Sequence, residues 1–193
     1  MHPVPTVTTS VVPLSGTICA GSSATITASS ATATGYTWQP GGGVGANLIV
    51  TLANTYTVTA TNAQGCTATA TRTIVVNSLP TVNASATQTT ICETSSTTLN
   101  ASGTATSFTW QPGGQSGASV NVSPTSTTTY TVTGTNANGC TKTSTVTITV
   151  NPAPSITGSA SPGSVCPGGA VTLIGTNAGA NYNWQPGNLN TAS

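Results

Sequence analysis

TYTVTATNAQGC, residues 55–66, returns almost unchanged as TYTVTGTNANGC, residues 129–140. In both stretches a tyrosine and a valine alternate with threonines, which is the period-two pattern of a half-buried β-strand. The NAQG or NANG that follows predicts a tight hairpin turn, because glycine adopts positive φ without strain. Each stretch ends in a cysteine, Cys66 or Cys140. The sequence therefore repeats a strand, a turn and a cysteine as one structural motif.

Other landmarks recur with the same period of about 74 residues. Cysteines stand at 19, 92 and 166, and tryptophans stand in YTWQPG, FTWQPG and YNWQPG. Proline-bearing joints, VVNSLPTV (75–82) and TVNPAPSI (149–156), separate the copies. We expect two complete units, 1–78 and 79–152, and the N-terminal half of a third, 153–193, truncated after its WQPG.

Each unit is predicted to be all β. The stretches ATITA (24–28), TTLNA (97–101) and AVTLIG (170–175) read as strands, and threonine and valine suit a pleated surface. Several short strands and turns in a unit of this size indicate a small two-sheet β-sandwich. Aromatic residues alternate along the strands and should point into the core: Tyr36, Trp38, Tyr56, Phe108, Trp110, Tyr130, Tyr182 and Trp184.

The cysteines are predicted to cross-link each unit. A sandwich this small has a marginal core, and closing a loop of this length is worth about 4 kcal/mol in the chain-entropy model. We predict structural disulfides Cys19–Cys66 and Cys92–Cys140, each at one end of its sandwich beside the hairpin. Cys166 is expected to be unpaired, because its mate would follow the last residue. Free buried thiols are the alternative to these disulfides.

Charge is nearly absent, at 2% of residues against roughly 25% in ordinary domains. Glu93 is the one carboxylate, His2 the one histidine, and Arg72 and Lys142 the two basic residues. Acid–base pairs, catalytic triads and metal clusters cannot be assembled from this set, so we predict no enzyme activity and no cofactor. There is no basic patch for nucleic acid and no apolar run for a membrane span. Arg72 takes the inward position of Val146, and we expect it to snorkel at a sheet edge.

The order of Cys, YTWQPG, TYTVTxTNAxGC and a closing TITV strand with a proline joint resembles the immunoglobulin-like (PKD-like) repeats of Bacteroidetes secreted surface proteins, the gliding-motility adhesins among them. The resemblance covers essentially the whole chain. It implies tandem Ig-like repeats in a linear array, an extracellular or cell-surface location, and a mechanical or adhesive role in a stalk or filament. With one carboxylate available, we predict no calcium at the joints.

We therefore expect a structural and adhesive repeat array whose partners are neighbouring repeats, other copies in a filament, and a surface or glycan target. Strands supplied by a neighbouring chain could complete the third unit. The alternative function is a carbohydrate- or lattice-binding module that uses aromatics or exposed threonine rows: Thr57, Thr59, Thr61, Thr131, Thr133 and Thr135.

Overall fold

The computed structural model describes residues 2–155, 157–167, 169–176, 181–184 and 189–192, and it describes side chains up to residue 176. Every regular element among these residues is a β-strand. The predicted all-β class is therefore confirmed.

The first sandwich consists of two sheets, with strand orders β1–β3–β5 and β2–β7–β6–β4. Neighbouring strands are antiparallel, except that β2 runs parallel to β7. Its strands are β1 (Thr8–Val12), β2 (Thr17–Cys19), β3 (Ala24–Ser29), β4 (Ala33–Gln39), β5 (Asn47–Val50), β6 (Asn54–Asn62) and β7 (Thr67–Asn77).

The second sandwich repeats this plan, with strand orders β13–β10–β8 and β12–β11–β14–β15–β9. Again one pair is parallel, β9 with β15. Its strands are β8 (Val82–Ala86), β9 (Thr90–Cys92), β10 (Thr97–Gly103), β11 (Ser107–Gln111), β12 (Gln115–Ser116), β13 (Ser119–Val122), β14 (Thr128–Thr135) and β15 (Thr141–Asn151).

Both sandwiches have the topology of an immunoglobulin-like domain. Two largely antiparallel sheets pack face to face, and the chain crosses from one sheet to the other after its first strand. The TYTVT strand of each copy, β6 or β14, lies inside the larger sheet and is paired on both sides. The repeated TYTVT motif thus forms an interior strand of the larger sheet in each sandwich.

Each sandwich buries its own apolar core. The first core contains Ile26, Trp38, Val58 and Ile74, each at most 1% exposed. All of its buried residues lie between Val11 and Ile74. The second core is built in the same way from residues between Val82 and Ile148. Because the two clusters share no residue, each sandwich is stabilised mainly by its own strands.

The long closing strands, β7 and β15, set the length of each sandwich. Each has eleven residues, which span about 36 Å at the usual rise of a strand. The hairpin turn before the strand lies at the end where the chain enters the sandwich, which we call the leading end. The strand finishes at the opposite, trailing end, where the chain leaves at Asn77 or Asn151.

Beyond the second sandwich the structure describes two strand pairs. β16 (Thr157–Ser161) pairs with β17 (Thr172–Thr176), and β18 (Asn181–Trp184) pairs with β19 (Leu189–Ala192). These strands correspond in sequence to the first strands of the earlier copies. The predicted core aromatics Tyr182 and Trp184 lie on β18, but their side chains are outside the described part.

Candidate functional site

The trailing end of the first sandwich presents Cys19. This residue ends β2, where it lies opposite Asn77, the last residue of β7. The Ala20 amide donates to the Asn77 carbonyl at 2.8 Å, which holds the cysteine beside the point where the chain leaves. The parallel pairing of β2 with β7 therefore fixes Cys19 at the junction with the next sandwich.

The leading end of the second sandwich presents Cys140, which follows the turn between β14 and β15. The Asn136 Oδ1 accepts from the backbone amides of Asn138 and Cys140, both at 3.0 Å. Its Nδ2 donates to the Ser78 carbonyl, also at 3.0 Å. One asparagine side chain thus shapes the turn and docks it on the segment that connects the two sandwiches.

A disulfide joins the two ends. Cys19 is bonded to Cys140 with a Cα–Cα distance of 5.6 Å, across 121 residues of sequence. Cys140 is completely buried. The bond therefore links successive sandwiches, and it does not close either one on itself.

The connecting segment, residues 78–81, is also fixed by hydrogen bonds to the second sandwich. The Thr81 amide donates to Thr104 Oγ1 at 2.9 Å, and the Thr104 amide donates back to Thr81 Oγ1 at 3.0 Å. Gly103 has φ +139°, and a Cβ there would overlap the Thr81 carbonyl. The joint is a closely packed structure, since the segment, the turn and the disulfide all restrain it.

The predicted pairs Cys19–Cys66 and Cys92–Cys140 are wrong in this structure, which leaves Cys66 and Cys92 as free thiols together with Cys166. The reason is the length of the closing strand. Cys66 precedes β7 and Cys19 lies opposite its last residue, so they sit about 30 Å apart at opposite ends. A disulfide requires Cα atoms within about 7 Å.

This geometry depends on a strand pairing that the cysteine spacing does not reveal. TIC (17–19 and 90–92) pairs with the closing strand in parallel, near that strand's last residues. A first strand that continues into the second sheet is a feature of immunoglobulin-like folds, and it carries its cysteine to the trailing end. The spacing of cysteines along the chain does not record which end each one occupies.

The structure places the predicted aromatics inside the sandwiches to different depths. Trp38 and Trp110 are at most 1% exposed, and each indole Nε1 donates to a glycine carbonyl, Gly45 at 2.9 Å or Gly117 at 3.1 Å. Their burial leaves no stacking platform for a sugar at these two rings. The remaining aromatics are Tyr56 and Tyr130, both buried, and Tyr36 and Phe108, both half-buried against the cores.

Arg72 is half-buried and serves a local contact. Its Nη2 donates to the Leu14 carbonyl at 3.0 Å, and the guanidinium lies beside Gly16. The side chain thus holds the loop between β1 and β2. This contact fits the expected position at a sheet margin.

Threonines cover the outer face of the larger sheet in both sandwiches. In the first, Thr37, Thr59 and Thr69 are direct neighbours on three adjacent strands. In the second, the same row consists of Thr109, Thr133 and Thr143. The members on the middle strand are half-buried, and those on the flanking strands are exposed.

A shallow groove lies at one margin of the first sandwich. It has a volume of about 370 Å³ and is lined by β5, the turn at Pro40–Gly41, and Tyr56. The Tyr56 hydroxyl donates to the Leu52 carbonyl at 3.1 Å. Exposed Ile49 and Leu52 make this groove mainly apolar.

The described residues contain no cluster of three or more histidine, cysteine, aspartate or glutamate side chains that could hold a metal ion. Within the same part of the chain, no helix has the length and hydropathy needed to span a membrane. The carboxylate of Glu93 accepts from the Ala153 amide at 3.1 Å, at the trailing end of the second sandwich.

No protein-family model matches this sequence, and no curated protein does. Several solved structures are similar in fold. Murine CEACAM1b has 14% identity over 77% of this chain and all of its own, with a TM-score of 0.38. A Ca²⁺-stabilized, ice-binding adhesin of an Antarctic bacterium has 16% identity over 82% of this chain and 52% of its own, with a TM-score of 0.49. Identities this low do not transfer a ligand to this chain.

Proposed function

We propose that this chain is a non-enzymatic structural and adhesive repeat segment of a secreted bacterial surface stalk or filament. In this proposal the units are 1–78 and 79–152, followed by the first half of a third unit, 153–193. The main observation in support of this function is the joint, where Cys140 of one sandwich is bonded to Cys19 of the sandwich before it. A covalent clamp at a junction suits a protein that spans distance under load.

The arrangement of the two ends supports an array. The chain enters each sandwich at one end and leaves it at the other, so units added in sequence extend the molecule by about one strand length each. Each unit has its own core, and units that contact only their neighbours can be added without changing the others. Disulfides persist in oxidising compartments, which supports an extracellular or cell-surface location.

Small-angle X-ray scattering of the oxidised chain tests the proposal. We expect an elongated particle whose longest dimension exceeds twice the length of one sandwich. Negative-stain electron microscopy of the native material should show beads in a line or a filament. A compact particle in which the sandwiches lie side by side, or isolated globules in native material, would contradict it.

The threonine rows favour a second candidate, a module that binds a regular carbohydrate surface. The strands that carry each row are about 4.8 Å apart across the sheet, and equivalent positions recur about every 6.8 Å along a strand. Thr55 pairs with Thr73, and Thr129 with Thr147, through Oγ–Oγ hydrogen bonds of 2.9 Å, so the side chains are held in order.

Sedimentation with insoluble cellulose or chitin tests this candidate. We expect Thr59→Lys and Thr133→Lys to abolish binding, while Thr25→Lys, on the smaller sheet, preserves it. Equal binding by all three variants, or no binding by the unsubstituted chain, would exclude the threonine rows as a carbohydrate site.

A further inference from the structure

The free thiols Cys66 and Cys92 occupy the same two positions that are bonded at the joint between the sandwiches. Cys66 follows its turn as Cys140 does, and Cys92 ends its parallel strand as Cys19 does. We propose that each is half of a further joint, and that its partner is a cysteine of the adjoining unit in the array. This inference rests on the proposed function.

The surroundings of Cys92 match those of Cys19. Cys92 lies opposite Asn151 on the closing strand, and the next amide, that of Glu93, donates to the Asn151 carbonyl at 2.9 Å. The equivalent bond at the first joint is 2.8 Å. Cys92 is exposed at the end where the chain leaves the sandwich, so its thiol is accessible to a partner at that end.

The surroundings of Cys66 match those of Cys140. Asn62 Oδ1 accepts from the Gln64 and Cys66 amides at 3.1 and 2.9 Å, and its Nδ2 donates to the Pro3 carbonyl at 2.9 Å. Pro3 takes the place that Ser78 takes at the joint. The turn is therefore docked on the segment that leads into its sandwich, as the turn of Cys140 is at the joint.

The rule that follows is that the strand cysteine of one unit bonds the turn cysteine of the next. Each bond forms by thiol–disulfide exchange. The two thiols lose two protons and two electrons, and a small disulfide such as oxidised glutathione takes them up and leaves as two thiols. The loops closed in this way overlap, because Cys92 lies within the loop from Cys19 to Cys140.

Overlapping loops have a mechanical consequence. After each turn cysteine the chain runs the length of its sandwich as the closing strand, about 36 Å for β15, and it continues through the first strands of the next unit. It then reaches another strand cysteine at the trailing end of that unit. The stretch of chain between one disulfide and the next is already extended. Tension can therefore pass along this stretch and through the disulfides without unfolding a core.

The first test lengthens the chain by one unit, as residues 1–152 followed by a second copy of residues 79–152. The added copy brings its whole core with it. After treatment with oxidised glutathione, the chain is denatured and labelled with iodoacetamide without reductant. We expect Cys92 to escape labelling and to be cross-linked to the added copy's Cys140, while Cys66 is labelled or carries glutathione.

A matched control carries Cys140→Ser in the added copy only, and Cys92 should then be labelled or carry glutathione. The second test places an extra copy of residues 1–77 directly before residues 3–193, so that Pro3 follows Asn77 as Ser78 does at the joint. This should protect Cys66 through the added copy's Cys19. Hydrogen exchange verifies that the added strands are protected. The inference would be overturned if Cys92 or Cys66 were labelled, or carried glutathione, although the neighbouring unit had folded. If the lengthened chain is nevertheless elongated in scattering, the proposed array survives that failure.

Discussion

Cys66 and Cys140 end the same twelve-residue phrase, yet one is a half-exposed thiol and the other is fully buried in a disulfide. Their turns are alike, since Asn62 and Asn136 accept from the cysteine amide at 2.9 and 3.0 Å. The difference lies in what each turn faces. Cys140 meets Cys19 of the preceding sandwich, whereas the turn of Cys66 meets the first residues of the chain. The state of this cysteine is therefore a property of the joint.

The largest expected effect comes from Cys140→Ser, with Cys66→Ser as the matched control. The bond closes 121 residues, which corresponds to about 5 kcal/mol in the chain-entropy model. We expect Cys140→Ser to lower the free energy of unfolding by an amount of this order, whereas Cys66→Ser should change it little. Chemical denaturation under non-reducing conditions measures both. Equal losses from the two variants would contradict the comparison.

The connectivity itself can be read from a tryptic digest, because Arg72 and Lys142 are the chain's two basic residues. Cleavage of the denatured, unreduced chain should leave fragment 1–72 covalently joined to 73–142 through Cys19 and Cys140. Disulfides within each unit would instead release these fragments separately. Cys140→Ser should separate them, and Cys66→Ser should not.

The strands and the core were accessible to prediction because their signals are local. Alternation in TYTVT identifies a strand with Tyr56 and Val58 inward, and the structure buries both. The glycine turns, the all-β class and the sandwich follow from similar short-range patterns. A period of about 74 residues then transfers each conclusion from one copy to the next.

The disulfide partner was not accessible, because a repeat offers two equivalent choices for every cysteine. Cys140 has a strand cysteine in its own unit, Cys92, and another in the preceding unit, Cys19. Sequence spacing favours the first, which closes the shorter loop. The choice is decided by which end of an eleven-residue strand each cysteine occupies, and this depends on the parallel pairing of two strands that are far apart in sequence.

A further prediction concerns the cores. Ile26 and Leu99 are equivalent and both 0% exposed. Truncating such a side chain to alanine typically costs about 2–5 kcal/mol. Because the cores share no residue, Leu99→Ala should accelerate hydrogen exchange in β10 and β14 while sparing β3 and β6, and Ile26→Ala should do the reverse. Acceleration in both sandwiches from either change would show one cooperative core.

Another prediction separates the turn from its docking contact. Asn62→Ala and Asn136→Ala each remove two bonds that shape the turn, at about 1 kcal/mol per bond. Only Asn136 also binds Ser78 of the connecting segment. We therefore expect Asn136→Ala to speed the reduction of the Cys19–Cys140 bond by dithiothreitol, whereas Asn62→Ala should leave that rate unchanged. The same rate in both variants would mean that the docking contact does not protect the bond.

The smallest expected effect distinguishes the two core tyrosines. The Tyr56 hydroxyl donates to the Leu52 carbonyl, so Tyr56→Phe should cost about 1 kcal/mol at neutral pH. For Tyr130, burial raises the pKa of the phenol above its ordinary value of 10.0. Above that pH the unfolded chain loses this proton before the folded chain does, so stability should fall as pH rises from about 10 through the higher folded pKa.

Tyr130→Phe should remove this part of the alkaline decline and change stability little at pH 7. Urea unfolding at a series of pH values, in the wild-type chain and both variants, measures the effect through the slope of the unfolding free energy against pH. An unchanged alkaline slope in Tyr130→Phe would show that the phenol is as accessible to solvent in the folded sandwich as in the unfolded chain. Burial of the second TYTVT strand would then stop short of the Tyr130 hydroxyl.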